Sequence, residues 1–295
     1  MILTRDGKIP VHWWNHVKNF GDLLSPWLVN KISGKDVVFV EQYERNYTTI
    51  GSIIGHATKN SIIWGTGAFG LERVRDASFS GRKMFDPDAK YLAVRGPLTR
   101  NLLEVNGIKC PRIYGDPALL VSRYHKINAN RDVQYEAGLV LRWSERGRIK
   151  GDLDDRVKLI FLDTDDVEAT LDAIASCKRA ITTSLHGLIV SDSYGIPNAW
   201  IDSDTPTGLE FKYWDYLISV GKVRKPSLMS LEGVHLHSLE DLLGMLDFDG
   251  RDIDIDLNLL ESVCPFLPSD DGCEIAHPAA IRRKWLFFGR KVLSN

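Results

Sequence analysis

Short runs of apolar residues recur between helix-like segments along most of this chain. The runs lack the polar alternation of a half-exposed strand, and this pattern is typical of strands buried on both faces of a parallel sheet. Residues 23–32 and 167–174 instead place their apolar side chains at helical spacing. The alternation predicts a doubly wound α/β architecture. The predicted strands are 36–40, 61–64, 91–94, 112–114, 138–143, 157–162, 179–182 and 198–201.

A polar, strand-free passage over residues 123–134 separates two such series of strands and helices. We therefore predict a Rossmann-like N-terminal domain over residues 1–128 and a second one over residues 129–265. A basic tail follows over residues 266–295. Ligands of open α/β sheets bind beyond the carboxyl ends of the strands, so the predicted site is a cleft between the two domains.

Composition limits the class of protein. The chain is 44% hydrophobic and 26% charged, which predicts a folded core, and its formal net charge of -2 argues against a nucleic-acid binder with a strongly basic surface. The first ten residues carry Arg5, Asp6 and Lys8 in place of an apolar signal core, and no stretch is long and apolar enough to span a bilayer. We expect a cytoplasmic protein. Four dispersed cysteines without a C-x-x-C pair predict neither a disulfide framework nor a zinc site.

Two segments near the end of the chain have unusual charge. The acidic segment 247–258 resembles a solvated linker, because its glycine is misplaced for a calcium-binding loop. In contrast, residues 281–295 are basic and aromatic. That tail is either a terminal helix packed against the body or a contact with anionic lipid at the inner face of the cytoplasmic membrane.

Residues 182–188 form the most informative chemical motif, at a predicted turn from strand to helix. Ser184 is a suitable N-cap residue, so the amides of Leu185, His186 and Gly187 should point toward the cleft. The start of a helix with open amides favours an anion. His186 is the nearest side chain that could act on such a ligand, although a histidine at such a turn can also be structural.

Four further candidates lie near predicted strand ends or helix starts in the N-terminal half. Asn19 and Asp22 begin the first amphipathic helix, where they offer amides and a carboxylate or simply cap the helix. Arg95 directly follows a strand and could bind phosphate or carboxylate, or else a surface carboxylate. Asp116 stands in a Gly-Asp-Pro turn that turn chemistry alone would explain.

The C-terminal half supplies two more cations. Arg142 ends a strand at the corresponding edge, with the same alternatives as Arg95, and Lys212 lies in an aromatic segment after the last strand.

The G-x-G-x-x-G match at residues 65–70 is weak evidence for a dinucleotide, because the following residues are charged and lack an apolar stripe. His12 and His16 have metal-like spacing, but no third ligand is evident and structural roles are favoured.

Taken together, six blocks in order resemble the polysaccharide pyruvyl transferase family. They are residues 19–22, 64–67, 94–100, 114–120, 184–190 and 194–197. The resemblance implies a GT-B-like fold of two Rossmann-type domains, the first on the acceptor side and the second binding the donor. It implies phosphoenolpyruvate as co-substrate, with no other cofactor and no metal, and a sugar of a polysaccharide repeat unit as acceptor. The acceptor would receive a pyruvate ketal as phosphate leaves, often while attached to a membrane lipid.

The same resemblance assigns roles to individual residues. Ser184 to His186 match the donor-binding loop, and the chemistry makes His186 the proton donor or phosphate partner, with Asp22 and Asp116 activating acceptor hydroxyls. One departure is that 141–143 reads Leu-Arg-Trp where relatives often carry a Pro-His pair. The candidates are Ser184, Leu185, His186, Gly187, Arg95, Arg142 and Lys212 for the donor, and Asn19, Asp22 and Trp143 for the acceptor.

Two other functions remain open from the sequence. One is a GT-B-type glycosyltransferase that uses a nucleotide sugar, because a fold does not determine the donor. The other is a non-catalytic protein that binds or assembles glycans.

Overall fold

Two five-stranded sheets, each with all its strand pairs parallel, form the framework of the protein. A computed structural model describes residues 1–70, 85–127, 133–202 and 210–267. The first sheet has the order β2-β1-β3-β4-β5 and the second has the order β10-β9-β8-β6-β7. The predicted α/β class with two parallel-sheet domains is confirmed.

Among its described residues, the first lobe contains five strands and three helices. The strands are β1 (Ile9–Val11), β2 (Val37–Phe39), β3 (Asn46–Thr48), β4 (Ser61–Trp64) and β5 (Lys90–Ala93). The helices are α1 (Phe20–Ser33), α2 (Pro97–Val105) and α3 (Val121–Tyr124), and short 3-10 helices span Ile54–His56 and Pro117–Leu120.

The second lobe is built in the same way. Its strands are β6 (Ala137–Leu141), β7 (Val157–Phe161), β8 (Ala180–Thr182), β9 (Asn198–Asp202) and β10 (Ser227–Leu228). Its helices are α4 (Val167–Ala175), α5 (Leu185–Ser193), α6 (Phe211–Ser219) and α7 (Leu239–Met245), with 3-10 helices at Trp143–Arg148 and Leu231–Leu236. Helix α8 (Leu257–Ser262) follows.

Two predicted strands differ from the structure. Residues 112–114 contribute only an isolated bridge between Val94 and Tyr114. The run predicted over 138–143 ends as a strand at Leu141, because Arg142 becomes the N-cap of the next 3-10 helix.

The two lobes share one apolar core. Leu24 and Leu28 of α1 belong to the same buried cluster as Leu171 of α4 and Leu188 of α5. The amide of Phe20, at the start of α1, also donates to the carbonyl of Leu162, just after β7. The first helix of the N-terminal lobe is therefore fixed against the second lobe.

The last described residues pack against the first lobe. The indole Nε1 of Trp64 donates to the Leu260 carbonyl of α8 at 3.0 Å, and the Phe266 ring packs edge-on against Tyr47 and Trp64, with centroid distances of 4.8 and 5.8 Å. The prediction assigned all of residues 129–265 to the C-terminal domain and so did not include this return of the chain to the first lobe. The predicted boundary at residue 128 and residues 268–295 of the tail lie outside the described residues.

The acidic segment before α8 is not the solvated linker that its composition predicted. Asp249 forms an isolated bridge with Asn198 of β9, while Ile253 and Ile255 pack against the shared core. Acidic residues alternate with these isoleucines along the segment, so its overall composition does not indicate that the isoleucines pack against the core. In the part of the chain that the structure describes, no helix is long and apolar enough to cross a membrane.

Candidate active site

Four helix starts from both lobes lie at the carboxyl edges of the sheets. They are the starts of α1, α2 and α5 and of the 3-10 helix at Pro117–Leu120. A Cβ atom built on Gly21 of α1 would lie 2.0 Å from His186 Nδ1 of α5, and His186 Nε2 lies 3.9 Å from Asp116 Oδ2. The lobes therefore meet at this point, and the structure brings Asp22, Asp116 and His186 to one place.

Protein groups already cap three of these helix starts. Asn19 Oδ1 accepts from the Gly21 amide at 3.3 Å, and the Phe20 amide is bound to the Leu162 carbonyl, so the amides predicted to be open on α1 are occupied. Asp215 Oδ1 accepts from the Thr99 amide of α2 at 2.9 Å. Asp116 Oδ1 accepts from the Ala118 amide at 3.0 Å.

The start of α5 differs from these three. The Ser184 hydroxyl makes no capping bond, and the first intrahelical bond runs from the Leu188 amide to the Ser184 carbonyl. Among the described residues, the amides of His186 and Gly187 have no hydrogen-bond partner. The Leu185 amide, which was predicted to be open, instead faces the phenol oxygen of Tyr213, which itself donates to the Thr183 carbonyl at 2.6 Å. Helix α5 thus offers two open amides at its positive end.

Gly187 is required for this turn by packing. A Cβ at this position would lie 2.2 Å from Thr182 Oγ1, which itself accepts from the Ser184 amide at 3.0 Å. The close approach of β8 and α5 leaves no room for a side chain.

His186 and Asp116 form a buried pair whose facing atoms make no hydrogen bond. Neither His186 Nε2 nor Asp116 Oδ2 has a partner, although both atoms are buried. Burial raises the pKa of Asp116 to about 7. Burial, reinforced by the positive charges of Lys212 and Arg95, lowers the pKa of His186 to about 3. The pair therefore combines a neutral imidazole with a carboxyl group that can hold a proton near neutral pH.

Asp22 is a second buried carboxyl group at this site. Its Oδ2 accepts from Asn19 Nδ2 at 2.6 Å, and burial raises its pKa to about 6 against the opposing effects of that bond and of Lys212. The Lys212 ammonium, 5.0 Å from the centroid of Phe69, thus acts electrostatically on both Asp22 and His186. Donor binding by Lys212 stays a prediction.

Arg95 has partners other than the predicted ligand anion. Its side chain is fully buried, and Nε donates to Asp215 Oδ2 at 3.0 Å. Nη1 donates to Ser52 Oγ at 2.7 Å and Nη2 to the Ala68 carbonyl at 2.6 Å. Since Asp215 belongs to α6, this guanidinium connects the two lobes, and direct contact with a ligand is not supported by these bonds.

Arg142 is likewise paired with a carboxylate. Its Nη2 and Nε donate to Glu145 Oε1 at 2.5 and 3.1 Å, and the Thr183 hydroxyl donates to the other oxygen of Glu145. The Arg142 side chain remains 20% exposed. Donor binding by Arg142 stays a prediction, as does acceptor binding by Trp143, whose side chain lies outside the description.

The glycines of the 65–70 motif have a packing explanation. Gly65 has φ 91°, and its Cβ would lie 2.2 Å from Pro117 Cδ. A Cβ on Gly67 would lie 2.3 Å from the Arg95 guanidinium carbon. The motif therefore makes room for the Arg95 and Asp116 segments. Within the described ranges, no group of three His, Cys, Asp or Glu side chains is arranged to hold a metal ion.

Sequence reasoning missed the carboxylates that hold the two arginines. Asp215 lies three residues after Lys212, and its burial at 0% exposure within an aromatic helix depends on a partner 120 residues away. Glu145 lies three residues after Arg142, and this short spacing was the one local signal for its role.

Fold and site together define a two-lobed α/β protein with a polar centre at the carboxyl edges of two parallel sheets. The open amides, buried acid and nearby cation suit an anionic ligand. The polysaccharide pyruvyl transferase family matches residues 43–205, which is more than half of the 295-residue chain. The chain belongs to this family.

Similar proteins agree with this membership. An uncharacterized protein of Acanthamoeba polyphaga mimivirus is 28% identical over 228 residues, which cover 74% of this chain and 76% of that protein. The succinoglycan biosynthesis protein ExoV of Rhizobium meliloti is 26% identical over 227 residues, which cover 74% of this chain and 66% of ExoV. Membership of the family supports pyruvyl transfer in general, and the named role of ExoV lies in succinoglycan biosynthesis.

A solved structure of an uncharacterized protein from Klebsiella pneumoniae shows weaker similarity. It has 13% sequence identity and a TM-score of 0.39, with 75% of this chain and 92% of that chain covered.

Proposed function

We propose that this protein transfers the enolpyruvyl group of phosphoenolpyruvate to a sugar of a polysaccharide repeat unit, forms a pyruvate ketal and releases phosphate. The observation that carries the proposal is the start of α5, where two open amides lie beside a buried acid and imidazole. In this proposal the lobes work as in a GT-B enzyme, with the acceptor on the first lobe and the donor on the second.

The donor requires several positive groups. Phosphoenolpyruvate carries a phosphate and a carboxylate, and one interaction with a helix dipole is worth about 0.3–1 kcal/mol at a surface and about 2 kcal/mol when partly buried. The amides of His186 and Gly187 are therefore insufficient alone. Lys212, whose charge acts on both Asp22 and His186, supplies further attraction for the anion.

Ketal formation needs both proton donation and proton removal. Protonation of the methylene carbon makes the central carbon cationic, and one sugar hydroxyl adds there. Phosphate then leaves, and a second hydroxyl adds to close the ketal. The two sugar hydroxyls each lose a proton. One of these protons restores the acid that protonated the methylene carbon, and the other leaves with phosphate. The products are the ketal and inorganic phosphate.

The geometry suggests a division of these roles. Asp116, whose pKa is raised to about 7, can hold a proton near neutral pH, and its Oδ2 lies 3.9 Å from His186 Nε2. His186 can therefore pass a proton to the donor and recover one from Asp116. A bound anion would raise the pKa of His186 and favour this transfer. Asp22, fixed by Asn19, is the candidate base for an acceptor hydroxyl.

Two parts of the proposal concern the membrane. The acceptor would be a lipid-linked oligosaccharide at the cytoplasmic side, and the basic residues 281–295 would retain the protein at anionic lipid at about 1 kcal/mol per cation.

The test is phosphate release from phosphoenolpyruvate with candidate lipid-linked oligosaccharides, followed by mass spectrometry of the sugar product. We expect a mass gain of one pyruvate less one water, and a higher melting temperature with saturating phosphoenolpyruvate. His186→Ala should lower turnover by about 100-fold or more, while His237→Ala, in the 3-10 region of the second lobe, should leave it unchanged.

Other outcomes would contradict the proposal. Near-normal turnover of His186→Ala would remove its assigned role. Stabilisation by nucleotide sugars in preference to phosphoenolpyruvate would indicate a glycosyltransferase. Glycan binding without any phosphate release would indicate a non-catalytic protein.

A further inference from the structure

A cluster of histidines and tryptophan lies on the first lobe, outside the residues described above. We call Trp14, His16 and His56 the Trp14 platform. The ring of Trp14 meets His16 edge-on with a centroid distance of 4.4 Å and lies 6.0 Å from His56. Trp14 is 39% exposed and His16 is exposed, whereas the neighbouring Trp13 is buried against Phe39. The platform therefore presents an indole and two imidazoles together at the surface of the first lobe.

The hydrogen bonds behind the platform fix the tautomer of His56. His12 Nδ1 lies 3.0 Å from the Val40 carbonyl, which can only accept, so His12 Nδ1 carries the proton. His12 Nε2 then accepts a hydrogen bond from the protonated Nδ1 of His56, and the two nitrogens lie 3.0 Å apart. His56 Nε2 is left with a lone pair, and among the described residues no protein group is hydrogen-bonded to it. Burial, with the charges of His12 and His16, lowers the pKa of His56 to about 4, so this lone pair persists at neutral pH.

The platform adjoins the candidate active site through both of its segments. Trp14 lies in the connection from β1 to Asn19, the N-cap of α1. His56 ends the 3-10 helix that follows Gly51, and a Cβ on Gly51 would lie 3.5 Å from Asp22 Oδ1. The first segment therefore leads into the helix that carries Asp22, and the second begins at a glycine beside the Asp22 carboxyl group.

A pyranose ring matches the chemistry of this surface. One face of such a ring presents C–H groups that pack on an indole, while its hydroxyls are donors that a neutral imidazole nitrogen accepts. A metal ion fits poorly, because both ring nitrogens of His12 are already engaged.

We propose that the Trp14 platform is the acceptor-sugar subsite, where a pyranose stacks on Trp14 and donates a hydroxyl hydrogen bond to His56 Nε2. This inference rests on the proposed function for its biological meaning, but its binding chemistry can be measured without the donor.

The experiment uses saturation-transfer NMR on the full chain with methyl β-D-glucopyranoside and methyl β-D-galactopyranoside. We expect saturation of the ring protons of at least one of them, and Trp14→Ala should weaken binding by about tenfold, equivalent to about 1.4 kcal/mol. Trp14→Phe should restore part of the signal, because a phenyl ring still stacks. His56→Leu should weaken binding and His56→Gln should retain more of it, because its amide oxygen can accept.

Tyr43→Ala is the matched control. Tyr43 is 58% exposed on the same lobe, but its carbonyl is bound by Asn60, just before β4 and therefore at the opposite edge of the sheet. Its removal should leave the NMR signal unchanged. Equal losses in Trp14→Ala and Tyr43→Ala, no effect of Trp14→Ala, or no saturation of either pyranoside would each overturn the subsite.

Failure of the subsite and failure of the proposed function give different results. If pyranosides bind through Trp14 but phosphoenolpyruvate neither stabilises the protein nor releases phosphate, the platform stands and pyruvyl transfer fails. If phosphate release proceeds and the acceptor KM is unchanged in Trp14→Ala, the function stands and the platform fails.

Discussion

At the scale of single residues, Asp116 and His186 oppose each other in their effect on stability. The folded protein holds the Asp116 proton up to about pH 7, against an ordinary pKa of 3.8, so burial of this group costs stability increasingly as the pH rises between those values. The pKa of His186 is lowered from 6.5 to about 3, so its burial costs stability increasingly as the pH falls through that range. Over the range that the two groups share, about pH 4 to 6.5, one cost grows as the other falls, so their effects on the pH dependence of stability largely offset each other.

Asp116→Asn should show how much stability the burial of the Asp116 carboxyl group costs, separately from its role in catalysis. The asparagine oxygen can still accept from the Ala118 amide, now 3.0 Å from Oδ1, while the buried charge is removed. Above about pH 7.5 we expect the free energy of unfolding to rise by on the order of 2–4 kcal/mol, and the gain should shrink toward about pH 4. Urea unfolding at several pH values measures it.

The same variant should lose turnover, because an amide cannot resupply a proton to His186. A gain in stability that does not vary with pH would contradict the protonation behaviour assigned to Asp116.

At the scale of elements, the contact between the starts of α1 and α5 holds the imidazole in place. Gly21 lies in the first turn of α1, where a Cβ would occupy the space of the His186 ring. The helix alone would gain from alanine, since glycine costs about 1 kcal/mol in a helix interior. Glycine here is therefore explained by the approach of the other lobe.

Gly21→Ala should displace His186 and lower turnover by about 100-fold, the loss typical of a misplacement of about 1 Å. Gly55→Ala is the control, because a Cβ at Gly55 meets nothing within 4 Å. The kcat for phosphate release measures both variants. Equal turnover of Gly21→Ala and wild type would show that His186 does not act from this position.

The sequence predicted elements better than it predicted partners. Continuous apolar runs located β4 (Ser61–Trp64) and β6 (Ala137–Leu141), whereas β3 (Asn46–Thr48) was missed because it is three residues long and mainly polar. Motif spacing placed Arg95 at the correct sheet edge. It could not reveal that Asp215, 120 residues away, binds its guanidinium, because packing of the lobes sets that pair.

At the scale of the whole molecule, the two lobes are joined by more than the polar passage at residues 123–134. The buried Arg95–Asp215 pair crosses between them, and α1 packs into the shared core. Phe266 and α8 then return to the first sheet. Removing one partner of a buried ion pair typically costs about 3–5 kcal/mol, so this junction contributes strongly to the relative position of the lobes.

Phe266→Ala tests the return of the chain. Phe266 is fully buried, so we expect a loss of about 3–5 kcal/mol in the free energy of unfolding and a change in the fluorescence of Trp64. The neighbouring Leu267 is 38% exposed, and Leu267→Ala should have little effect. Similar urea midpoints for the two variants would mean that the last segment does not complete the first lobe.

The position of Phe266 also bears on dissecting the protein. The strands of the second sheet are inserted in the chain between the strands of the first lobe and Phe266. The first lobe therefore uses residues that come both before and after the second sheet. A fragment ending at residue 128 would lack Phe266 and would therefore have a cavity next to Tyr47 and Trp64. Expressing the halves separately should therefore yield an unstable first piece, and supplying a peptide of residues 253–267 in trans is the natural way to repair it.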